Sequence, residues 1–335
     1  MLRIYCQQTT KLFKYETLIM GIKSFYASHI SPLLRRTELG ERLAMALVAF
    51  QAKMQLAVFV YADSGSKIFP DSETDAIFSD LDERSREIAR RFMGRQLKSP
   101  PNGLMLHPKY FYTEEERAEA ARISADFNKT RRRFHFPRYL VGPESLYYHH
   151  GLRFAPEFVK QNIAGKLFAD VGGWLGDSAL IFEGYSPEKT IIFEPFPECC
   201  RKLQKKIRKH GMKDDRYELL PFALSDKRSD CESFPTRTLD EIRPAYSVPF
   251  GLLKADVEGM GLKFLQGARE TIMKDRPLLS LAIYHNEEEF AGIYQTLKSW
   301  DLNYHAEILA LNPLTPHSEV TLFAYPAEWK ETLRR

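Results

Sequence analysis

The chain reads as an α/β protein built on an open, doubly wound sheet. Three observations point there. From about residue 145 short apolar strands alternate with amphipathic helices, the pattern of parallel strands joined by crossover helices. A glycine-rich turn, Val171-Gly-Gly-Trp-Leu-Gly176, follows the first of those strands. The last two strands have no helix between them, which predicts a terminal hairpin antiparallel to the rest.

The elements follow in order. Leu167–Val171 is strand one and Thr190–Glu194 strand two. Pro197–His210 is a helix with Cys200, Leu203 and Ile207 on one stripe, stopped by Gly211. Tyr217–Leu224 is strand three and Gly251–Val257 strand four, followed by a helix over Leu262–Met273. Pro277–Tyr284 is strand five, with a helix over Glu287–Trp300. Tyr304–Leu311 and Glu319–Ala324 complete seven strands.

Residues 1–140 read as a mainly helical amino-terminal region, and 141–330 as the sheet domain. Ser72–Met93 carries Ile77, Phe78, Leu81, Ile88, Ala89 and Phe92 at helical spacing. Thr113-Glu-Glu-Glu116 has the spacing of a capping box and opens a helix towards Asn128. Ser99-Pro-Pro-Asn-Gly103 breaks regular structure and reads as a linker. The apolar run Leu43–Ala62 is long enough to span a bilayer, but Gln51, Lys53 and Gln55 at its centre argue for a buried helix. No membrane span is expected.

An apolar fraction of 44% with 27% charged residues is that of a soluble globular protein. A net charge of only +4 supports a polyanionic partner weakly. With no dedicated RNA-binding module in view, a nucleic-acid partner is disfavoured. Cys6, Cys199, Cys200 and Cys231 suit neither a zinc site nor a disulfide framework, so a reduced, cytoplasmic setting is expected, with no metal.

The glycine turn and the acid after it suggest a nucleoside site. Gly172, Gly173 and Gly176 let a ligand approach the backbone. Glu194, ending the next strand, is placed to accept both ribose hydroxyls. Valine at 171 fails the dinucleotide spacing. Asp170, just before the turn, would repel a pyrophosphate and favour a ligand carrying positive charge, which S-adenosyl-L-methionine does. Asp226, after strand three, is either a turn residue or an adenine-side contact.

Several short motifs in series resemble the FkbM-type methyltransferase family. They are Glu144-Ser-Leu-Tyr-Tyr-His-His-Gly-Leu152, Phe168-Ala-Asp-Val-Gly-Gly-Trp-Leu-Gly-Asp-Ser178, Phe193-Glu-Pro-Phe-Pro197, Ala223-Leu-Ser-Asp226, Thr238-Leu-Asp240, Leu253-Lys-Ala-Asp-Val-Glu-Gly259, Gly267-Ala268 and Arg276–His285. The resemblance covers about residues 144–325. It implies a Rossmann-like class I methyltransferase fold with S-adenosyl-L-methionine as cofactor. It brings Asp177 and Ser178 into the cofactor-binding set. It implies a carbohydrate, polyketide or other small-molecule acceptor. Two positions depart from the pattern: Trp174, where many class I enzymes have a second glycine, and Met260-Gly261, where many members have alanine and glutamate.

A hydroxyl is a poor nucleophile while protonated, so a base beside it helps. Asp256 and Glu258, at the end of strand four, and His285, at the end of strand five, are the catalytic candidates. Ligands bind at this edge of an open sheet. Lys254 is expected to orient an acid or touch the acceptor, and His149 and His150 to reach the same edge. The competing reading is a glycan- or nucleotide-binding protein without turnover, which Trp174 filling the cofactor pocket would favour.

Overall fold

The computed structural model describes residues 69–98, 112–137, 140–230, 234–316 and 319–334. All of them lie in one of the two units into which the chain divides, Ser64–Lys98 with Lys109–Arg335. The run Leu43–Ala62, the linker at 99–103, Cys6 and Cys231 lie outside the described residues. No helix among the described residues is long and apolar enough to cross a membrane.

The segment that reads as one helix from Ser72 is two, α1 (Asp71–Ile77) and α2 (Glu83–Lys98). The break has a local cause. The Asp82 carboxylate accepts the Ser85 N–H at 2.7 Å, an N-cap that starts a new helix. Phe78 and Leu81 stay buried across the turn. Helix α3 (Glu114–Arg133) has the expected capping box at Thr113 and Glu116. It runs past Asn128 and ends on three arginines that complement its dipole. Helix α4 (Glu157–Ile163) buries Val159 and Ile163 under the sheet that follows.

Strand β1 (Leu167–Val171) leads through the glycine turn into α5 (Asp177–Phe182). Strand β2 (Lys189–Phe193) leads into α6 (Pro197–Lys209), which turns Leu203 and Ile207 to the core. Strand β3 stops early, at Tyr217–Leu220. Pro221 follows it with no N–H to offer a ladder. The rest of that apolar run becomes β4 (Ala223–Leu224), which joins β5 (Ser229–Asp230) and β6 (Pro235–Arg237) in a separate small sheet. Strand β7 (Phe250–Ala255) precedes two short helices, α7 (Gly261–Gln266) and α8 (Arg269–Asp275), where the sequence reads as one. Gly267 separates them. A Cβ there would lie 1.9 Å from the Ser225 carbonyl oxygen, so the chain bends where the β4 turn presses on it. Strand β8 (Leu278–Ala282) is followed by a π-helical turn, Glu288–Gly292, and then α9 (Ile293–Ser299). Strands β9 (Tyr304–Ala310) and β10 (Val320–Pro326) close the sheet.

The seven strands run β3-β2-β1-β7-β8-β10-β9. The first five are parallel, and β10 is antiparallel to both its neighbours. The expected sheet and terminal hairpin are therefore present. Chain order reverses at β1, which pairs with β2 on one side and β7 on the other. Such a switch point opens a crevice at the carboxyl ends of the strands. One core cluster joins Phe168, Leu252, Leu278 and Phe323 to α4. Another joins Ile192, Leu203 and Ile207 to Ile123 and Phe127 of α3. The amino-terminal helices also bind the sheet's far edge, where Ser85 accepts the Ile308 N–H at 2.9 Å.

Candidate active site

The glycine turn is built by backbone demands. Gly172 has φ +83°, and a Cβ on it would stand 2.1 Å from the Asp256 carbonyl oxygen. The turn and the end of β7 thus touch backbone to backbone. The N–H groups of Gly172 and Gly173 both donate to the Phe193 carbonyl, at 3.0 and 3.2 Å. Gly176, at φ +78°, starts α5. The turn is tied to β2 a second time through Glu194. One carboxylate oxygen accepts the Trp174 N–H and the other the Phe196 N–H, both at 3.0 Å. Burial raises the Glu194 pKa, and these two donors oppose the rise. Each oxygen keeps a further lone pair for a ligand hydroxyl.

Asp177 and Ser178 are buried at the head of α5. The Ser178 hydroxyl is 2.8 Å from His150 Nε2. His150 is held in the left-handed region, φ +53°, next to Gly151 at φ +92°. Burial keeps it neutral, its pKa well below the usual histidine range. It reaches the carboxyl edge as expected, whereas His149 pairs with the Tyr185 hydroxyl at 2.7 Å. Asp226 is exposed, and its carboxylate accepts the Ser225 hydroxyl at 2.9 Å. Trp174 is 46% exposed, and its indole N–H donates to the Leu140 carbonyl at 3.3 Å. Phe196, 51% exposed, follows Glu194 by two residues and sets its ring edge-on to that of Phe234. Phe196 lies within the motif Phe193–Pro197, but no role was expected of it.

Asp170 and Lys254 are register partners on β1 and β7. Lys254 Nζ donates to Asp170 Oδ1 and to the Gly172 carbonyl, both at 2.9 Å. Lys254 therefore orients an acid, one of the two roles expected of it. The sequence did not reveal that Asp170 has this internal counter-ion. Asp170 is fully buried, and its Oδ2 has no hydrogen-bond partner among the described residues. Burial pushes its pKa up to about 6 against the pull of Lys254.

The three catalytic candidates part company. His285 Nε2 stands 3.3 Å from Asp256 Oδ1 and 3.8 Å from a Glu258 oxygen. The Glu258 side chain is 86% exposed, that of Asp256 31%, and that of His285 only 5%. Glu258 is therefore the rim, and Asp256 with His285 the interior. The two form an ion pair. Although burial disfavours the imidazolium, the Asp256 and Glu289 carboxylates outweigh it and raise the His285 pKa to about 11. Burial likewise opposes the Asp256 carboxylate, but His285 and Lys254 prevail and hold it well below the usual carboxylate range. At neutral pH His285 is a cation and Asp256 an anion, so only Asp256 of the two can accept a proton.

Further groups surround this pair that sequence reasoning did not single out. The Tyr284 hydroxyl lies 3.3 Å from both Asp256 Oδ1 and Glu319 Oε1 and gives its one proton to either. Glu144, Glu319, Asp256, Lys254, His150 and Ser280 line a small cavity there. Burial pushes the Glu144 carboxyl up to about 8 and that of Glu319 well above its usual range. Glu144 comes from before β1 and Glu319 from the lead-in to β10, so only the fold joins them. No cluster suited to a metal ion occurs among the described residues.

The methyltransferase FkbM domain matches residues 212–309. The crystal structure of methyltransferase FkbM from Methylobacillus flagellatus superposes with a TM-score of 0.55 at 17% identity, over 75% of this chain and 58% of that one. This chain thus spans less than two thirds of that protein. A putative O-methyltransferase from Klebsiella pneumoniae matches more loosely, with a TM-score of 0.43 at 10% identity over 66% of this chain and 99% of that one, and adds nothing to the assignment. No curated protein matches. Strand order and domain match agree: the chain has a class I methyltransferase fold and resembles the FkbM-type methyltransferases.

Proposed function

We propose that the chain transfers a methyl group from S-adenosyl-L-methionine to a hydroxyl oxygen of a carbohydrate, polyketide or other small molecule. The observation that carries this reading is the Asp256–His285 ion pair at the carboxyl end of β7. It lies one backbone contact from the glycine turn, since the Asp256 N–H donates to the Val171 carbonyl at 3.1 Å.

The residues present fit the cofactor. The turn at Gly172, Gly173 and Gly176 presents bare backbone, and Glu194 offers lone pairs to ribose hydroxyls. Asp177 and Ser178 head the helix beyond the turn, and Asp226 is assigned to the adenine side. When bound, the cofactor supplies an electrophilic methyl group on a sulfonium. Asp256 accepts the acceptor hydroxyl's proton as the oxygen becomes nucleophilic. His285 keeps Asp256 ionised. Tyr284 holds the second side of the same oxygen. Much of the remaining rate is positioning, as in other in-line displacements.

The division at about residue 140 belongs to this proposal, with the amino-terminal region shaping the acceptor side. Arg95 of α2 donates to the Pro316 carbonyl at 2.6 Å and pairs with Glu116 of α3. These helices therefore brace the chain just before Glu319. The free thiols of Cys199 and Cys200 support a reducing, cytoplasmic setting. The test is incubation with methyl-labelled S-adenosyl-L-methionine and panels of glycans, polyketides, lipids and RNA. Label on a hydroxylated small molecule is expected. Label on RNA alone, or none on any acceptor, overturns the proposal.

A further inference from the structure

Among the described residues, Glu289 is a buried acid that touches the catalytic pair and takes no part in the proton transfer. It is fully buried in the π-helical turn after β8. Such turns, with one residue more than an α-helical turn, concentrate at functional sites. Its two carboxylate oxygens have separate partners. Oε1 accepts the Gly261 N–H at 2.7 Å, and Oε2 lies 2.7 Å from His285 Nδ1. The turn itself is pinned. Asn286 Oδ1 accepts the Glu289 N–H at 2.9 Å, while Asn286 Nδ2 donates to the Gly259 carbonyl at 3.2 Å. Gly259 has φ +92°, and Glu258 before it φ +49°, so the loop carrying Asp256 folds back onto Asn286 and Glu289.

We propose that Glu289 is the positioning residue of the site, fixing both the ring orientation and the protonation pattern of His285 so that Nε2–H always faces Asp256. The proposal rests on the methyltransferase reading for its role in turnover, but the protonation pattern itself does not depend on that reading. A carboxylate accepts only, so Oε2 demands a proton on Nδ1. Nε2 faces the carboxylates of Asp256 and Glu258, which demand a proton there too. A ring between acceptors on both sides is an imidazolium. The other groups near the pair do not change this demand. The Tyr284 ring lies 4.1 Å from the imidazole, centroid to centroid, and its hydroxyl is engaged with Asp256 and Glu319. Lys254, from β7, acts on Asp256.

His285 Nε2 makes no well-angled hydrogen bond, despite its 3.3 Å approach to Asp256. A proton is thus held on a buried nitrogen beside the base without being fully committed to it. Glu289 keeps that donor in place while never touching the acceptor.

The substitution Glu289→Gln separates this role from simple packing, because it keeps size and shape. Gln has one acceptor oxygen instead of two. The Gly261 N–H can only donate, so the oxygen stays with it and the amide NH2 turns to His285. Nδ1 must then give up its proton and accept. His285 becomes neutral, protonated on Nε2 alone. Nitrogen-15 NMR of labelled histidine reads this directly in the protein without cofactor, with the His285→Gln variant assigning the signal.

In the wild-type protein both ring nitrogens are expected to remain protonated at pH 8. In Glu289→Gln, Nδ1 should be unprotonated, and kcat should fall by about tenfold or more. The cofactor Kd should stay within about twofold of the wild type. If the substituted protein does not fold, the wild-type spectrum still decides. A neutral His285 at pH 8 in the wild type overturns the proposal, as does an unchanged doubly protonated ring in folded Glu289→Gln. Failure to bind S-adenosyl-L-methionine with the expected NMR pattern intact would sink the methyltransferase reading and leave the protonation claim standing.

Discussion

Lys254→Met removes the cation of a buried pair and leaves its partner in place. Lys254 is 4% exposed and Asp170 0%, with 2.9 Å between the charges. At that separation the Coulomb attraction is roughly 6 kcal/mol for an effective dielectric of about 20. Desolvation of the two ions offsets much of it, so the pair itself contributes little net stability. Breaking it is another matter. Asp170 would be buried without a counter-ion and the Gly172 carbonyl would lose its donor, at a cost of about 3–5 kcal/mol. Burial already raises Asp170 to about 6 from 3.8 with Lys254 present. A folded-state pKa raised above the unfolded one destabilises the ionised form, and the penalty grows as pH rises through that interval. The loss in Lys254→Met should therefore be smaller at pH 5, where Asp170 takes up a proton, than at pH 8. Urea unfolding followed by circular dichroism at both pH values measures it. The double variant Lys254→Met with Asp170→Asn should regain about 1 kcal/mol or more over the single one, since no buried charge remains. A single-variant loss below about 1 kcal/mol at pH 8, or no recovery in the double variant, would refute the reasoning.

Other expectations follow from the same geometry. Asp256→Asn should slow single turnover about a hundredfold or more, while Glu258→Gln, on the exposed rim, should stay within about threefold; equal losses would move the base to the rim. Asp256 is ionised to well below 3.8 and His285 is protonated up to about 11, so neither should titrate in kcat between about pH 5 and 10, and an inflection near 8 belongs to Glu144 in the same cavity. For stability, the Asp256 contribution is present above 3.8 and lost as pH falls, and the His285 contribution is present below 6.5 and lost as pH rises through about 11. An inflection near 6.5 assigned to His285 would contradict the ion pair. Gly172→Ala should cost about 3 kcal/mol or more in thermal unfolding, because its Cβ meets backbone and its φ is left-handed. Ile123→Ala should destabilise the sheet unit by about 2–5 kcal/mol in urea, with a single transition, because Ile123 shares a core with Leu203 and Ile207.

What could be read from the chain follows from how local each signal is. Strand β1 and helix α6 stand within a residue of where periodicity and flanking glycine put them. The carboxyl-edge position of Asp256 and His285 followed from strand ends alone. Breaks inside elements were less legible. The interruption at Gly267 depends on the Ser225 carbonyl far along the chain. The turn at Asp82 needed its side chain read as a cap rather than as part of a helix face. The Asp170–Lys254 pair required the β1–β7 register, which no single strand contains. Glu144, Tyr284 and Glu319 meet Asp256 from three separate segments, and Glu289 looked like one more charge at a helix start. Which candidate is the base was not legible at all, because exposure and the proton between Asp256 and His285 are set by the fold.

The central claim is that the glycine turn and Glu194 hold S-adenosyl-L-methionine beside Asp256. Calorimetric titration of the folded protein and of Glu194→Ala tests it most directly. The wild type should bind S-adenosyl-L-methionine one to one. The substitution removes two ribose contacts, each charge-assisted and worth roughly 1.5–3 kcal/mol, so its affinity should fall about a hundredfold or more. Equal affinities in the two proteins, or binding of NAD in place of S-adenosyl-L-methionine, would contradict the account.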